Sequence, residues 1–262
     1  METIKKTLAI LLAVLMIAAC MTGCGQKETS DKAYVQGNGK LLVGITEYPP
    51  MDYKNENGEW IGFDADLCNM IGEKLGVEVE FVVLSNWGQK FQELDTKNVD
   101  MLCNGMTITE EATLNSSVTN AYAKNAQVLV MNADVIGNYK DTDSIKDLAF
   151  AVENGSAGQA LLTDLGITNM TALQDQAAAL MEVAAGTSEA CVVDLTIANA
   201  MTGEGTSYDF LASGLALSSE EFGISFRKGS DLTAEINKIL ADLKADGTLA
   251  ALGEKYNVAL AD

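Results

Sequence analysis

The 262-residue chain is 48% hydrophobic and carries a formal charge of -20, which allows a large buried core and disfavours nucleic acid or an anionic membrane surface as a partner. It has no histidine, which removes Ser-His and Cys-His nucleophiles and the commonest zinc ligand, and its single arginine, Arg227, cannot form a phosphate-gripping cluster. With no glycine-rich GxxxxGK loop either, neither cofactor, metal nor covalent chemistry is expected.

At the N-terminus, Lys5 and Lys6 precede an apolar run, Thr7 to Ala19, which is too short for a comfortable membrane span and reads as a secretory signal peptide. Small residues then lead into Cys20 and Cys24, and both stretches resemble a bacterial lipobox. Cys24 is the favoured lipidation site and Cys20 the alternative, so residues 1–23 would be removed and an acyl anchor would hold the chain on the outer face of the membrane. Residues 24–39 are polar and rich in Lys, Ser, Asp and Gly, and read as a flexible tether with folded structure beginning near Lys40. Cys68, Cys103 and Cys191 lie in apolar surroundings without CxxC spacing, which predicts buried thiols.

From Leu41 onward, short apolar strands alternate with amphipathic helices, the pattern of an α/β fold with largely parallel sheets. Leu41 to Ile45 is the first strand. Tyr48-Pro49-Pro50-Met51 follows as a stiff connection that fixes Tyr48 in place, either as packing or as a ligand wall. Leu67, Met70, Ile71 and Leu75 then share one helix face, and Val79 to Val83 forms the next strand. The apolar residues Val99, Met101 and Cys103 run out into Asn104-Gly105-Met106-Thr107-Ile108-Thr109-Glu110-Glu111-Ala112, a strand end that opens onto a helix start, where α/β proteins hold small ligands. Gly105 admits close backbone approach, Asn104 and Thr107 can hydrogen-bond a ligand, and Thr109 can cap the helix; a capped turn without a ligand accounts for the same residues.

The run Gly62 to Leu75, flanked by Tyr48-Pro49-Pro50-Met51 and Gly105-Met106-Thr107-Ile108-Thr109, resembles the signature of the family 3 extracellular solute-binding proteins, the polar amino-acid receptors of ATP-driven importers. Ala65 departs from it, standing where a larger aliphatic residue is usual. The resemblance continues to the C-terminus and implies a two-lobed periplasmic-binding-protein fold (type II), α/β, with a central mixed sheet in each lobe and a ligand cleft between them. Lobe 1 would comprise 40–123 and 222–262 and lobe 2 would comprise 124–221, the return crossing being marked by Glu221 to Gly229. Helix Asp231 to Ala245 would follow, with Leu232, Ile236, Ile239, Leu240 and Leu243 on one face.

The resemblance also implies a ligand-binding set. Trp87 matches the position of a ligand-stacking residue, and Asn86 and Gly88 beside it suggest an exposed turn. Asn154-Gly155-Ser156-Ala157-Gly158, after the strand ending at Glu153, looks like the loop that receives a ligand carboxylate at a helix N-terminus, with Ala157 replacing one hydroxyl. Asp194, at the end of strand Ala190 to Val193, resembles the aspartate that binds a ligand ammonium, and it could equally cap helix Leu195 to Met201. The expected ligand-binding residues are therefore Tyr48, Trp87, Asn104, Gly105, Thr107, Glu153, Ser156 and Asp194.

The main departure from the family pattern is Ala112, which falls where an arginine usually clamps the ligand's carboxylate. Its absence favours an amine, or an amino acid without a free carboxylate, unless a lysine substitutes; Lys90 and Lys124 are the candidates. The reading is a monomeric, lipid-anchored receptor that binds a small amino acid or amine, works with a membrane ABC permease, uses no cofactor and performs no catalysis. A ligand-sensing relative is the alternative, and a dehydratase-type enzyme on the same fold a distant third.

Overall fold

The computed structural model describes residues 30–262, so the signal peptide, Cys20 and Cys24 lie outside the described residues. Two five-stranded mixed sheets form the framework. In the first, Lys40–Ile45 lies parallel between Glu78–Val83 and Met101–Leu102, and Ser225–Phe226 runs antiparallel between Met101–Leu102 and Ser117–Val118. In the second, Phe150–Glu153 lies parallel between Met170–Leu173 and Ala190–Asp194, while Gln127–Asn132 runs antiparallel to both Ala190–Asp194 and Leu211–Ala216. A chain built from segments on both sides of residues 127–216 must pass between the sheets twice. It does so through Ala123–Asn125 and Glu220–Phe222, which pair antiparallel as a short ribbon.

The helices form where apolar residues recur on one face. Helix Phe63–Leu75 buries Leu67, Ile71 and Leu75 beside the first sheet, and Gly76, with a left-handed φ of 73°, closes it by donating to the Glu73 and Gly72 carbonyls. Helix Leu232–Ala245 buries Leu232, Ile236, Ile239, Leu240 and Leu243, as its spacing predicts. Cys68, Cys103 and Cys191 are all buried free thiols. Among the described residues no helix is long and apolar enough to cross a membrane.

The expected tether is partly helical. The stretch read as a tether contains helix Asp31–Asn38, whose Val35 is fully buried in the core. Its first residue meets the chain's only arginine: Arg227 Nε donates to both Asp31 carboxylate oxygens at 3.1 Å. The same guanidinium donates to Asp100 Oδ1 at 2.9 Å and to the carbonyls of Leu94 and Val99 at 3.2 and 2.9 Å. The ordering of this helix comes from long-range contacts that its polar composition does not announce.

Candidate functional site

Between the two sheets lies a cavity of about 360 Å³. Seven of the eight expected residues line it: Trp87, Asn104, Gly105, Thr107, Glu153, Ser156 and Asp194. Tyr48 does not. It is buried beneath Gly105, so close that a Cβ on Gly105 would sit 2.4 Å from Tyr48 Cε1, and the φ of +54° at Gly105 also suits glycine. The Tyr48 hydroxyl makes no hydrogen bond of good geometry, although the Asp194 carboxylate is near enough to help burial raise its pKa.

The Cys103 to Ala112 stretch is held rigidly from behind. The Gly105 N–H donates to Asp64 Oδ2 at 2.6 Å, and the same oxygen accepts from the Tyr122 hydroxyl at 2.9 Å. Asn104 is engaged within the protein: its Oδ1 accepts from the Thr46 N–H and hydroxyl at 3.0 and 2.8 Å, and its Nδ2 donates to the Thr46 carbonyl and Asp52 Oδ2 at 3.0 and 2.8 Å. It therefore shapes the cavity wall, with its side-chain hydrogen-bonding capacity already used. Thr109 caps helix Glu110–Asn115 by accepting from the Ala112 N–H at 3.1 Å. Ser156 similarly caps helix Ala157–Asp164, accepting from the Gln159 N–H at 3.1 Å.

The densest polar cluster surrounds Asp194. Its side chain makes no helix cap. Instead Oδ1 accepts from Asn125 Nδ2 at 2.6 Å and Gln127 Nε2 at 2.5 Å, and Oδ2 accepts from Gln176 Nε2. Gln176 Oε1 accepts in turn from the Asp194 N–H at 2.8 Å. The same Asn125 and Gln127 amides donate to Glu220 Oε1 at 2.7 and 2.8 Å, and the Thr107 hydroxyl adds a third bond to that oxygen at 2.9 Å. Two carboxylates are thus held side by side by shared amide donors, with no cation bonded to either among the described residues. Burial, then repulsion from Glu220, raises the Asp194 pKa.

Glu153, also buried, accepts from the Thr46 hydroxyl at 3.3 Å, a buried contact between the two sheets' elements. Burial first, and then the negative charges of Asp194 and Asp175, push its pKa up to about 8 against the opposing pull of Thr46 and Lys90. Glu110, Glu111 and Asp164 also line the cavity, so its walls are strongly acidic.

Lys90 is the one basic residue on these walls among the described residues. It is buried, and its Nζ donates to the Gly155 carbonyl at 2.9 Å. Lys124 is elsewhere, half exposed and paired with Asp262 Oδ2 at 2.8 Å. Trp87 overturns the expected exposed turn: only 6% of it is accessible, and it packs with Leu84, Leu94, Met106 and Ala112 while presenting part of its surface to the cavity. Sequence reading missed Glu220, Gln127 and Gln176 as site residues. Glu220 opens one strand of the crossing ribbon, Gln127 lies just beyond the other, and Gln176 directly follows the helix cap Asp175, but their convergence around Asp194 is a long-range property.

Residues 41–259 match the family model of bacterial extracellular solute-binding proteins, family 3. The chain is 27% identical over 249 residues to the L-cystine-binding protein TcyJ of Escherichia coli (strain K12), covering 92% of each. In three dimensions it resembles a mutant of ArgBP from T. maritima with a TM-score of 0.80 and 30% identity, covering 86% of this chain and 98% of that one. It also resembles the ancestral amino acid-binding protein AncCDT-1, a precursor of cyclohexadienyl dehydratase, with a TM-score of 0.78 and 28% identity over 87% of this chain and 99% of that one. With its two-sheet framework, its crossing ribbon and a match that spans nearly every described residue, the chain belongs to the bacterial extracellular solute-binding proteins of family 3.

Proposed function

We propose that this protein is the receptor of an ABC importer, anchored by a lipid on Cys24 (alternatively Cys20), which captures a small nitrogenous solute between its lobes and presents it to a membrane permease. The reading treats 40–123 with 222–262 as one lobe, 124–221 as the other, and the crossing ribbon as the hinge. It works as a monomer and without a cofactor. The observation that carries it is the paired Asp194 and Glu220 carboxylates at the cavity wall, the first buried and the second partly buried, bridged by the Asn125 and Gln127 amides. Two adjacent carboxylates in a largely water-excluded cleft repel one another, and a protonated nitrogen placed against them relieves that repulsion through charge-assisted hydrogen bonds. Relatives whose names specify L-cystine, and a solved neighbour named as an amino acid-binding protein, support a nitrogenous ligand of this size.

A thermal-shift screen of the purified protein against amino acids and amines tests the reading, because a ligand that binds only the folded state raises the melting temperature. At least one such solute is expected to stabilise the wild type, and Asp194→Asn is expected to weaken its binding by about thirtyfold or more, the usual consequence of losing a buried charged partner. A screen in which no amino acid or amine shifts the melting temperature sinks the proposal.

A further inference from the structure

The acidic cluster accounts for a ligand cation but leaves Lys90 unexplained. An ammonium has three donors, and burial without an anionic partner is costly. The Lys90 ammonium makes one bond of ordinary length, to the Gly155 carbonyl at 2.9 Å, and one long contact to the Trp87 carbonyl at 3.5 Å. Its stem places Nζ 5.3 Å from the Trp87 ring centroid and 4.8 Å from that of Phe91. Among the described residues no carboxylate comes within ion-pairing distance of it. Glu111 and Glu153 act on it only through their field, which opposes the lowering of its pKa by burial. Glu153 and Lys90 both line the cavity, as does Ala112, whose methyl brings no cation to it. The chain's one arginine cannot serve here, because its guanidinium is bonded to Asp31, Asp100 and two carbonyls away from the cavity.

We propose that Lys90 receives the carboxylate of the bound solute, so that the receptor selects an amino acid over the amine that the same molecule becomes on losing its carboxyl group. The proposal deepens the receptor reading above and rests on it. Lys90 supplies one or two donors and a full positive charge at the cavity wall, while Asp194 and Glu220 supply the negative charge for the ammonium. A zwitterion therefore meets complementary charge at both of its ends, whereas the decarboxylated amine leaves the Lys90 ammonium buried and unpaired. This reverses the preference for an amine that Ala112 suggests when taken alone.

The test pairs each amino acid with its own amine: L-arginine with agmatine, L-lysine with cadaverine, L-histidine with histamine and L-cystine with cystamine, titrated calorimetrically into the purified wild type, Lys90→Met and Lys90→Arg. Methionine keeps the apolar stem that packs on Trp87 and Phe91 but carries no charge, and arginine keeps the charge. For the pair that binds, wild type and Lys90→Arg are expected to prefer the amino acid, and Lys90→Met to lose about thirtyfold in amino-acid affinity while its affinity for the amine changes by less than about threefold. Equal weakening of both members in Lys90→Met overturns the proposal, making Lys90 a strut that holds Gly155. A wild type that prefers the amine overturns it too, while leaving the receptor reading intact. If none of these pairs binds, the other amino acids and their decarboxylated amines are titrated in the same way, and binding of none of them to the wild type sinks the receptor reading and this inference with it. Should Lys90→Met fail to fold, Lys90→Gln, which retains a polar group for the Gly155 carbonyl, provides the same contrast.

Discussion

Glu153 and Asp194 hold protons more tightly than ordinary carboxyls do, chiefly because burial penalises their charged forms. A cation bound against Asp194, in the same cavity as Glu153, favours the ionised form of both, so binding is expected to release protons. Below a pH of about 8, where Glu153 titrates, affinity is expected to climb with pH, by up to about tenfold per unit for each proton released, and to level off above it. Stability runs the other way. A carboxyl whose folded-state pKa lies above its unfolded value favours the folded state while protonated, so ligand-free stability falls as pH rises from the ordinary carboxylate range towards about 8. Calorimetry in buffers of different ionisation enthalpy checks the proton count, and Glu153→Gln should flatten part of the profile; an affinity independent of pH contradicts the protonated cavity. Asp194 and Thr109 could be found in the sequence because each sits at a strand or helix end whose periodicity locates it. Glu220 could not, because its partners Thr107 and Asn125 lie 113 and 95 residues away and no local pattern links them.

At the scale of the element, the N-terminal helix Asp31–Asn38 shows what periodicity cannot detect. Its sequence, Asp-Lys-Ala-Tyr-Val-Gln-Gly-Asn, offers one fully buried apolar residue and a glycine, which by propensity alone describes a tether. The helix is ordered by docking: Val35 enters the core and Asp31 joins Arg227, whose other donors tie Asp100 and the Leu94 and Val99 carbonyls, so that three separate chain segments meet at one guanidinium. The longer helices needed no such help, and the buried face of Leu232–Ala245 was fully legible from its apolar spacing. Removing only the cation from this network leaves two largely buried carboxylates uncompensated. Arg227→Met is therefore expected to destabilise the fold by about 3 to 5 kcal/mol, read as a lowered urea midpoint with an unchanged slope. A loss below about 1 kcal/mol would place the pair with ordinary surface ion pairs.

For the whole molecule, the question is how the two lobes meet. They touch through backbone as well as side chains: Asn154 Nδ2 donates to Asn86 Oδ1 at 2.7 Å, and Lys90 reaches the Gly155 carbonyl at 2.9 Å. Between these contacts Gly88 and Gly155 pack so closely that a Cβ on Gly155 would lie 2.2 Å from Gly88 Cα. Backbone cannot move aside as the end of a side chain can, so Gly155→Ala should prevent full closure of the lobes. The substitution also strains a left-handed backbone, with φ of +73° at Gly155, at a cost of about 1 to 2 kcal/mol. Gly76 separates the two effects, since it has the same φ of +73° but nothing within 4 Å of an added Cβ. Both alanine variants should lose similar stability, while only Gly155→Ala should weaken ligand binding and keep the radius of gyration in small-angle scattering at its open value when ligand is added. If Gly155→Ala closes and binds as the wild type does, the glycine contact does not limit closure, and the lobes must tolerate a wider separation while holding the ligand.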